Sequence, residues 1–224
     1  MKTTVLYSGG KDSCYALHYA YLQGYDVVVL TTIIPHYDYS MIYHKPFENV
    51  LKLQSISMGI PIEIEHVYDD SNELIVLKKL LMRVRDEYGV KTVFTGCVIS
   101  DYQRMLFTSI ADEIGLKIVN PFWRIDEKKY LFELIDHGFE FMLVSINTYG
   151  LPPYLLGRVI TRNDIVEIIS RSEKYGFNPS LDGGEAETIV VNAPLFSKRI
   201  VVEGRVFSKN MYEHYFIIEK AYLS

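Results

Sequence analysis

Ser8-Gly9-Gly10-Lys11-Asp12-Ser13 place two glycines, two hydroxyls, a cation and a carboxylate where an apolar run gives way to a helix-like pattern. That mixture suits an anion. Glycines let backbone N–H groups approach a phosphate closely. The start of a helix adds unpaired N–H donors and a partial positive charge. Ser8 and Ser13 add hydroxyl donors and Lys11 a mobile cation. Asp12 would repel a bare phosphate, so it points to a magnesium ion travelling with the phosphate or to a supporting role. An ordinary strand-to-helix turn explains Gly-Gly alone, but not the whole hexapeptide. The spacing is neither the Walker phosphate loop nor the dinucleotide GxGxxG.

Two further stretches carry chemistry. In TGCVISDYQR (95–104), Asp101 and Arg104 fall at the opening of a helix, where Arg104 can meet a phosphate or a carboxylate; a solvated helix charge is the plainer alternative. In NPSLDGGEAETIVVNAPLF (178–196), Glu185 and Glu187 stand two apart with Asp182 nearby. On an extended strand the two glutamates share a face and would converge on a cation. HYDYSMIYH (36–44) gathers Tyr37, Tyr39 and Tyr43 into a possible aromatic surface for a cation; packed loop residues are the alternative. His36 and His44 have no further ligands clustered with them. Cys14 and Cys97 are not in a CxxC, and each reads as a packed residue rather than a nucleophile.

The elements that must position these groups follow from periodicity. TTVLY (3–7) and DVVVLTTI (26–33) are β-branched runs of the kind buried on both faces of a parallel sheet. A helix from Ser13 to Gly24 lies between them. GIPIEIEHVY (59–68) alternates Ile60, Ile62 and Ile64, so that strand is half exposed or near an edge. Helical spacing over 72–88 follows Asp70 and Glu73, which resemble a capping box. A buried strand over 91–99, a helix over 101–114 and a strand over 116–119 complete an alternation that argues for a doubly wound α/β layer. After Asn120-Pro121 the pattern changes to a helix (127–137), a strand (139–146), the turn-rich GLPPYLLGR, a helix (163–175) and then mostly strand. The expected organisation is an α/β domain over 1–122 that carries the anion loop and a smaller α+β domain over 123–224.

The totals bound the setting. The 224 residues are 49% hydrophobic, enough for a full core, and the net charge is -5, which weighs against a general nucleic-acid binder. No apolar run approaches the roughly 18 residues needed to span a membrane. With no signal-peptide pattern and only two cysteines, a cytoplasmic protein is expected.

SGGKDS after the first strand resembles the PP-loop of the N-type ATP pyrophosphatases, whose signature is SGGxDS. TGCVISDYQR, GLPPYLLGR (150–158) and NPSLDGGEAETIVVNAPLF, together with MIYHKPFENVLKLQSISMGIP (41–61), are similar to the diphthine–ammonia ligase family, in which TGAI-SDYQR, GL--WLGR and NP-GEGGEYETLV-D-PLF recur. The resemblance runs to about residue 202. It implies a mostly parallel five-stranded sheet, with ATP cleaved between its α- and β-phosphates at the carboxyl ends of the strands. The implied reaction amidates diphthine on translation elongation factor 2, using ammonia and releasing AMP and pyrophosphate. Carried over residue by residue, Ser8, Gly9, Gly10, Lys11, Asp12, Ser13, Thr32, Ile33 and Gly96 would bind ATP and pyrophosphate, with Asp12 toward magnesium. His44, Ser100, Asp101, Gln103, Arg104, Gly157, Arg158, Asn178, Gly183, Gly184, Glu185, Glu187 and Thr188 would meet the substrate. Lys11, Asp12, Arg104, Glu185 and Glu187 would be catalytic. The sequence departs from the family forms at Leu155 (Trp), Ser180-Leu181 (Cys-Gly), Asp182 (Glu) and Ala186 (Tyr). The alternatives are a PP-loop tRNA-modifying enzyme, which the acidic balance disfavours, and a non-catalytic nucleotide-binding module. The terminal strand edges could pair between copies of the chain.

Overall fold

The computed structural model describes residues 1–37 and 47–224; His44, Tyr39 and Tyr43 of the aromatic segment lie outside them. The chain divides into two compact units, Met1–Trp123 and Arg124–Ser224.

The first unit alternates strand and helix: β1 (Lys2–Leu6), α1 (Lys11–Leu22), β2 (Asp26–Pro35), α2 (Glu48–Met58), β3 (Ile62–Val67), α3 (Glu73–Tyr88), β4 (Thr92–Phe94), α4 (Asp101–Glu113) and β5 (Lys117–Val119). The strands form one sheet in the order β3-β2-β1-β4-β5, and every pairing is parallel. Leu6, Val29, Ile33 and Val93 on one sheet face join Leu77, Leu81 and Val84 of α3 and Phe107, Ile110 and Ala111 of α4 in an apolar core. The helix α1 packs against β1, β2 and β4 and contributes nothing to that cluster, so the sheet is covered on both faces. This is the doubly wound layer that the alternation predicts. Strand β3 lies at the sheet edge, one of the two outcomes its isoleucine alternation allows, and its Glu63 and Glu65 both pair with Arg83 of α3.

Because the chain leaves β1 for β2 on one side and returns to β4 on the other, the carboxyl ends of β1 and β4 flank a topological switch point. Ligands of open α/β sheets bind at such points. The strand expected over 91–99 pairs only at Thr92–Phe94. The chain then turns to pass over the start of α1, and Gly96 makes that passage possible. A Cβ there would stand 2.6 Å from both the Asp12 carbonyl carbon and the Ser13 nitrogen. Ahead of α3 the turn is capped one residue before the expected Asp70, by Asp69, which accepts from the Ser71 amide.

In the second unit, α5 (Glu127–Asp136) precedes β6 (Glu140–Ile146), then α6 (Arg162–Tyr175), β7 (Ala186–Asn192), β8 (Ile200–Ser208) and β9 (His214–Leu223). Its four strands form a sheet in the order β7-β6-β9-β8, with antiparallel pairings. GLPPYLLGR runs back alongside β6, with bridges from Leu143 to Leu156 and from Met142 to Val159. Among the described residues, no helix is long and apolar enough to cross a membrane.

The contact at Gly96 makes a first test. Gly96→Ala must displace backbone rather than a side-chain tip, so it should cost about 1–3 kcal/mol and lower thermal stability. A variant that melts like the parent would show that the approach is not tight.

Candidate functional site

The hexapeptide folds as strand, loop and helix start. Gly9 has φ 79°, a left-handed conformation that costs glycine nothing. Gly10 is the N-cap of α1, and among the described residues no side chain caps that helix start, the end that carries a helix's N–H donors. Ser13 ties the loop together: its Oγ accepts from the Ser8 amide at 3.1 Å, lies 3.1 Å from Ser8 Oγ and donates to the Gly10 carbonyl at 3.2 Å. Lys11 is 1% exposed, with its ammonium 2.8 Å from Asp12 Oδ2. A buried ammonium is costly unless an anion faces it. Asp12 supplies that charge here, and a phosphate could share the role. The loop is thus built for an anion on its backbone side, with its one cation held close.

One participant has no signal in the hexapeptide. Gln54 of α2 is fully buried, and its Nε2 donates to the Gly9 carbonyl at 3.0 Å. The sequence singles out neither Gln54 nor the loop it meets; its segment, 41–61, enters there only through the family resemblance.

The β4–α4 loop forms the other lip. Ser100 caps α4 by accepting from the Gln103 amide at 3.3 Å. Asp101 and Arg104 pair at 3.1 Å, and the Arg104 guanidinium lies 4.7 Å from the Trp123 ring centroid. The buried Arg104 Nε finds no acceptor among the described residues, a donor suited to an anionic ligand. Thr32 and Ile33 are fully buried inside β2, which runs on to Pro35, and Ile33 belongs to the apolar core. The Ile33 side chain therefore lies in the core on the α3 side of the sheet.

Beneath the loop, Tyr7, Cys14 and His18 are buried. Burial pushes the Cys14 thiol up to about 12 and, with Cys14 as a second cause, raises the Tyr7 hydroxyl well above its usual range. Cys14 is a packed thiol and no nucleophile at neutral pH. Burial also holds the His18 imidazole down to about 4, against the bond its Nδ1 makes to the Cys14 carbonyl at 2.7 Å. A carbonyl only accepts, so Nδ1 carries the proton.

In the second unit the acidic motif is organised differently from the expected pair of converging carboxylates. Glu185 folds back onto its own loop, accepting from the Asn178 amide at 3.0 Å and the Gly183 amide at 2.8 Å. Gly183 leaves room for it: a Cβ would stand 2.7 Å from Glu185 Oε1. Gly184 follows and offers its carbonyl to Asn147. Glu187 lies in β7 opposite Ser145, whose Oγ accepts from its amide at 3.1 Å, and Thr188 lies opposite Leu143. The departure from the family form at Leu181 also has a conformation: φ is 63° and the side chain is 3% exposed. Leucine in the left-handed region costs roughly 1–2 kcal/mol, which burial of its side chain offsets by a similar amount.

Arg158 is taken up in structure. Its guanidinium grips both oxygens of Asp164, at 2.9 and 2.6 Å, and its Nε donates to the Tyr154 carbonyl at 3.0 Å. Asp164 also closes a capping box with Thr161 at the start of α6. Arg158 first, with burial opposing and the Thr161 bonds adding, lowers the Asp164 carboxyl to about 2. Gly157 packs where a Cβ would strike the Phe216 ring. These two positions fasten GLPPYLLGR to α6 and β9.

Residues 1–118 match the family model of the diphthamide synthase N-terminal domain, and residues 126–223 that of the diphthamide synthase C-terminal domain. A Danio rerio protein named diphthine–ammonia ligase is 28% identical over 222 residues, covering 91% of this chain and 87% of the relative. The Homo sapiens protein of that name is 27% identical over 223 residues, covering 91% and 83%. The Schizosaccharomyces pombe one is 28% identical over 231 residues, covering 96% of this chain but 37% of the relative. A solved structure titled as a predicted subunit of tRNA methyltransferase from Methanocaldococcus jannaschii aligns with TM-score 0.43 at 18% identity, over 87% of this chain and 98% of that one.

Two expectations follow. The His18 pKa, about 4 when folded, lies below the roughly 6.5 of an unfolded histidine. The unfolded chain therefore binds the extra proton, so the stability this burial allows is fully present above pH ~6.5 and is lost as pH falls toward ~4. The loss is on the order of 3 kcal/mol. Urea unfolding across that window should show this slope in the parent and a shallower one in His18→Gln; equal slopes would contradict it. Separately, Glu185→Gln turns an amide N–H2 toward a backbone donor, so hydrogen exchange within 178–184 should accelerate, while Glu187→Gln leaves that loop protected. The reverse order would return the loop-holding role to Glu187.

Proposed function

This chain belongs to the diphthamide synthase family, and on that premise we propose that it is a diphthine–ammonia ligase, forming the amide of diphthine at the expense of ATP. The observation that carries this reading is the SGGKDS loop folded as an anion cradle at the switch point of the first unit, in a chain whose two halves match both family domains. The protein bearing diphthine is read as translation elongation factor 2, the nitrogen source as free ammonium, and the setting as the cytoplasm.

The chemistry divides into two steps. A substrate carboxylate oxygen attacks the α-phosphorus of ATP, the bond from that phosphorus to the bridging oxygen breaks, and pyrophosphate leaves. Ammonia then attacks the acyl carbon, AMP leaves, and the proton lost from nitrogen passes to a base. First-turn amides of α1, the Ser8 and Ser13 hydroxyls and Lys11 are assigned to the leaving pyrophosphate, where fixed donors stabilise developing charge. Arg104 is assigned to the α-phosphoryl group or the incoming carboxylate, and in-line attack needs both held. Glu187 is assigned to the cation, either ammonium or the substrate's trimethylammonium. Glu185 keeps the loop that presents it.

Magnesium fits this donor set only as a companion of the nucleotide. Among the described residues no three His, Cys, Asp or Glu side chains form a metal site. Asp12 is the one loop carboxylate placed to meet an ion held mainly by phosphates, the usual arrangement for magnesium. When bound, the ion would neutralise charge on the phosphates. A thiol-transfer reading finds no support in the cysteines, both of which are buried.

The test supplies the purified chain with diphthine-bearing elongation factor 2, MgATP and ammonium, and follows AMP and the intact mass of the factor. The expected result is an acid-to-amide mass change with stoichiometric AMP, reduced at least about 100-fold in Lys11→Ala and lost in Glu187→Ala. Bound ATP with no AMP and an unchanged factor would contradict the ligase reading.

A further inference from the structure

We propose that Gln54 is a positioning residue for the phosphate loop, holding the Gly9 carbonyl so that the next peptide N–H faces the anion. The inference rests on the reading of this loop as a pyrophosphate site. A peptide unit is planar and trans, so its carbonyl and N–H point in opposite directions. Gln54 Nε2 takes the Gly9 carbonyl at 3.0 Å from the α2 side. The Gly10 N–H of the same peptide is thereby sent the other way, where Ser8 Oγ lies 3.5 Å off. If this peptide flipped, a carbonyl oxygen would face the phosphate and one donor would be lost.

This peptide needs an external lock. Gly9, at φ 79°, has no Cβ to bias its rotation, and Gly10 caps α1 without a side-chain bond. The fit on the α2 side is close: a Cβ on Gly9 would stand 2.7 Å from Gln54 Oε1 and 2.9 Å from Leu51 Cδ2. Gln54 is fully buried on its helix, with Nε2 given to this carbonyl and no hydrogen bond at Oε1 among the described residues, so the amide is kept there at a cost. Its donor reaches across 45 residues of sequence to the one loop carbonyl whose direction sets the Gly10 donor. Gln54 touches no reacting atom, so its effect should appear on phosphate binding and not on contacts to the nucleoside.

The experiment titrates magnesium pyrophosphate and AMP separately into the full chain, for the parent, Gln54→Leu and Gln54→Glu. Gln54→Leu keeps the volume and removes the donor. It should weaken pyrophosphate about tenfold or more, the loss of one hydrogen bond to an anion, while AMP affinity stays within about twofold. Gln54→Glu adds a readout that packing alone would not move. Ionised, its carboxylate repels the Gly9 carbonyl. Protonated, it donates to that carbonyl, and burial raises its pKa into the accessible range. Its pyrophosphate affinity relative to the parent should therefore recover as pH falls from about 8 to 6. That pH dependence remains a test if Gln54→Leu does not fold. Equal losses for pyrophosphate and AMP with no recovery in Gln54→Glu would make Gln54 structural only, and unchanged affinities would overturn the inference. A parent that binds no pyrophosphate would instead remove the phosphate-loop reading on which it rests.

Discussion

The backbone contact between the β4–α4 loop and the first turn of α1 is the constraint on which the rest of the first unit depends. Gly96 lies so near Asp12 and Ser13 that one methyl group would not fit. That contact stops β4 after Thr92–Phe94 and lays the chain carrying Ser100, Asp101 and Arg104 beside the start of α1. Parallel strands need crossovers, and crossovers put loops at strand ends. What distinguishes this switch point is that two of those loops meet main chain to main chain. The chain that leads on to α4 and Arg104 therefore starts from the first turn of α1.

The loop itself is held from behind. Gln54 fixes one carbonyl, Ser13 ties Ser8 and Gly10, and Tyr7, Cys14 and His18 fill the space beneath, all buried. Neutral, packed groups there leave the positive end of the helix and Lys11 as the local charges, with Asp12 as their counterweight. A rigid cradle with few internal charges suits a ligand that brings its own, because preorganised dipoles need no rearrangement as charge develops.

Much of this was legible in the sequence. The parallel layer followed from β-branched runs alternating with helical spacing, the half-exposed or edge character of β3 from its isoleucines, and the anion loop from SGGKDS. What could not be read were contacts made by tertiary folding. Gln54 carries no signal of its own, Gly96 does not announce its neighbour, and the β4 signal is apolar on both sides of the point where pairing ends. In the second unit the sequence shows acids two apart, which suggests a shared face. The hydrogen bonds instead spend Glu185 on the Asn178 and Gly183 amides, because the Gly-Gly turn brings those donors within reach. Arg158, assigned to the substrate by the resemblance, gives its guanidinium to Asp164, six residues on.

The central claim is that the acceptor carboxylate attacks the α-phosphorus of ATP at this cradle. The most direct measurement uses elongation factor bearing diphthine with an 18O-labelled carboxylate and follows the label by mass spectrometry of the nucleotide product. An acyl-adenylate leaves one carboxylate oxygen on phosphorus, so AMP should carry one 18O for each amide formed. Unlabelled AMP alongside amide, or ADP carrying no label with labelled phosphate, would contradict attack at the α-phosphorus.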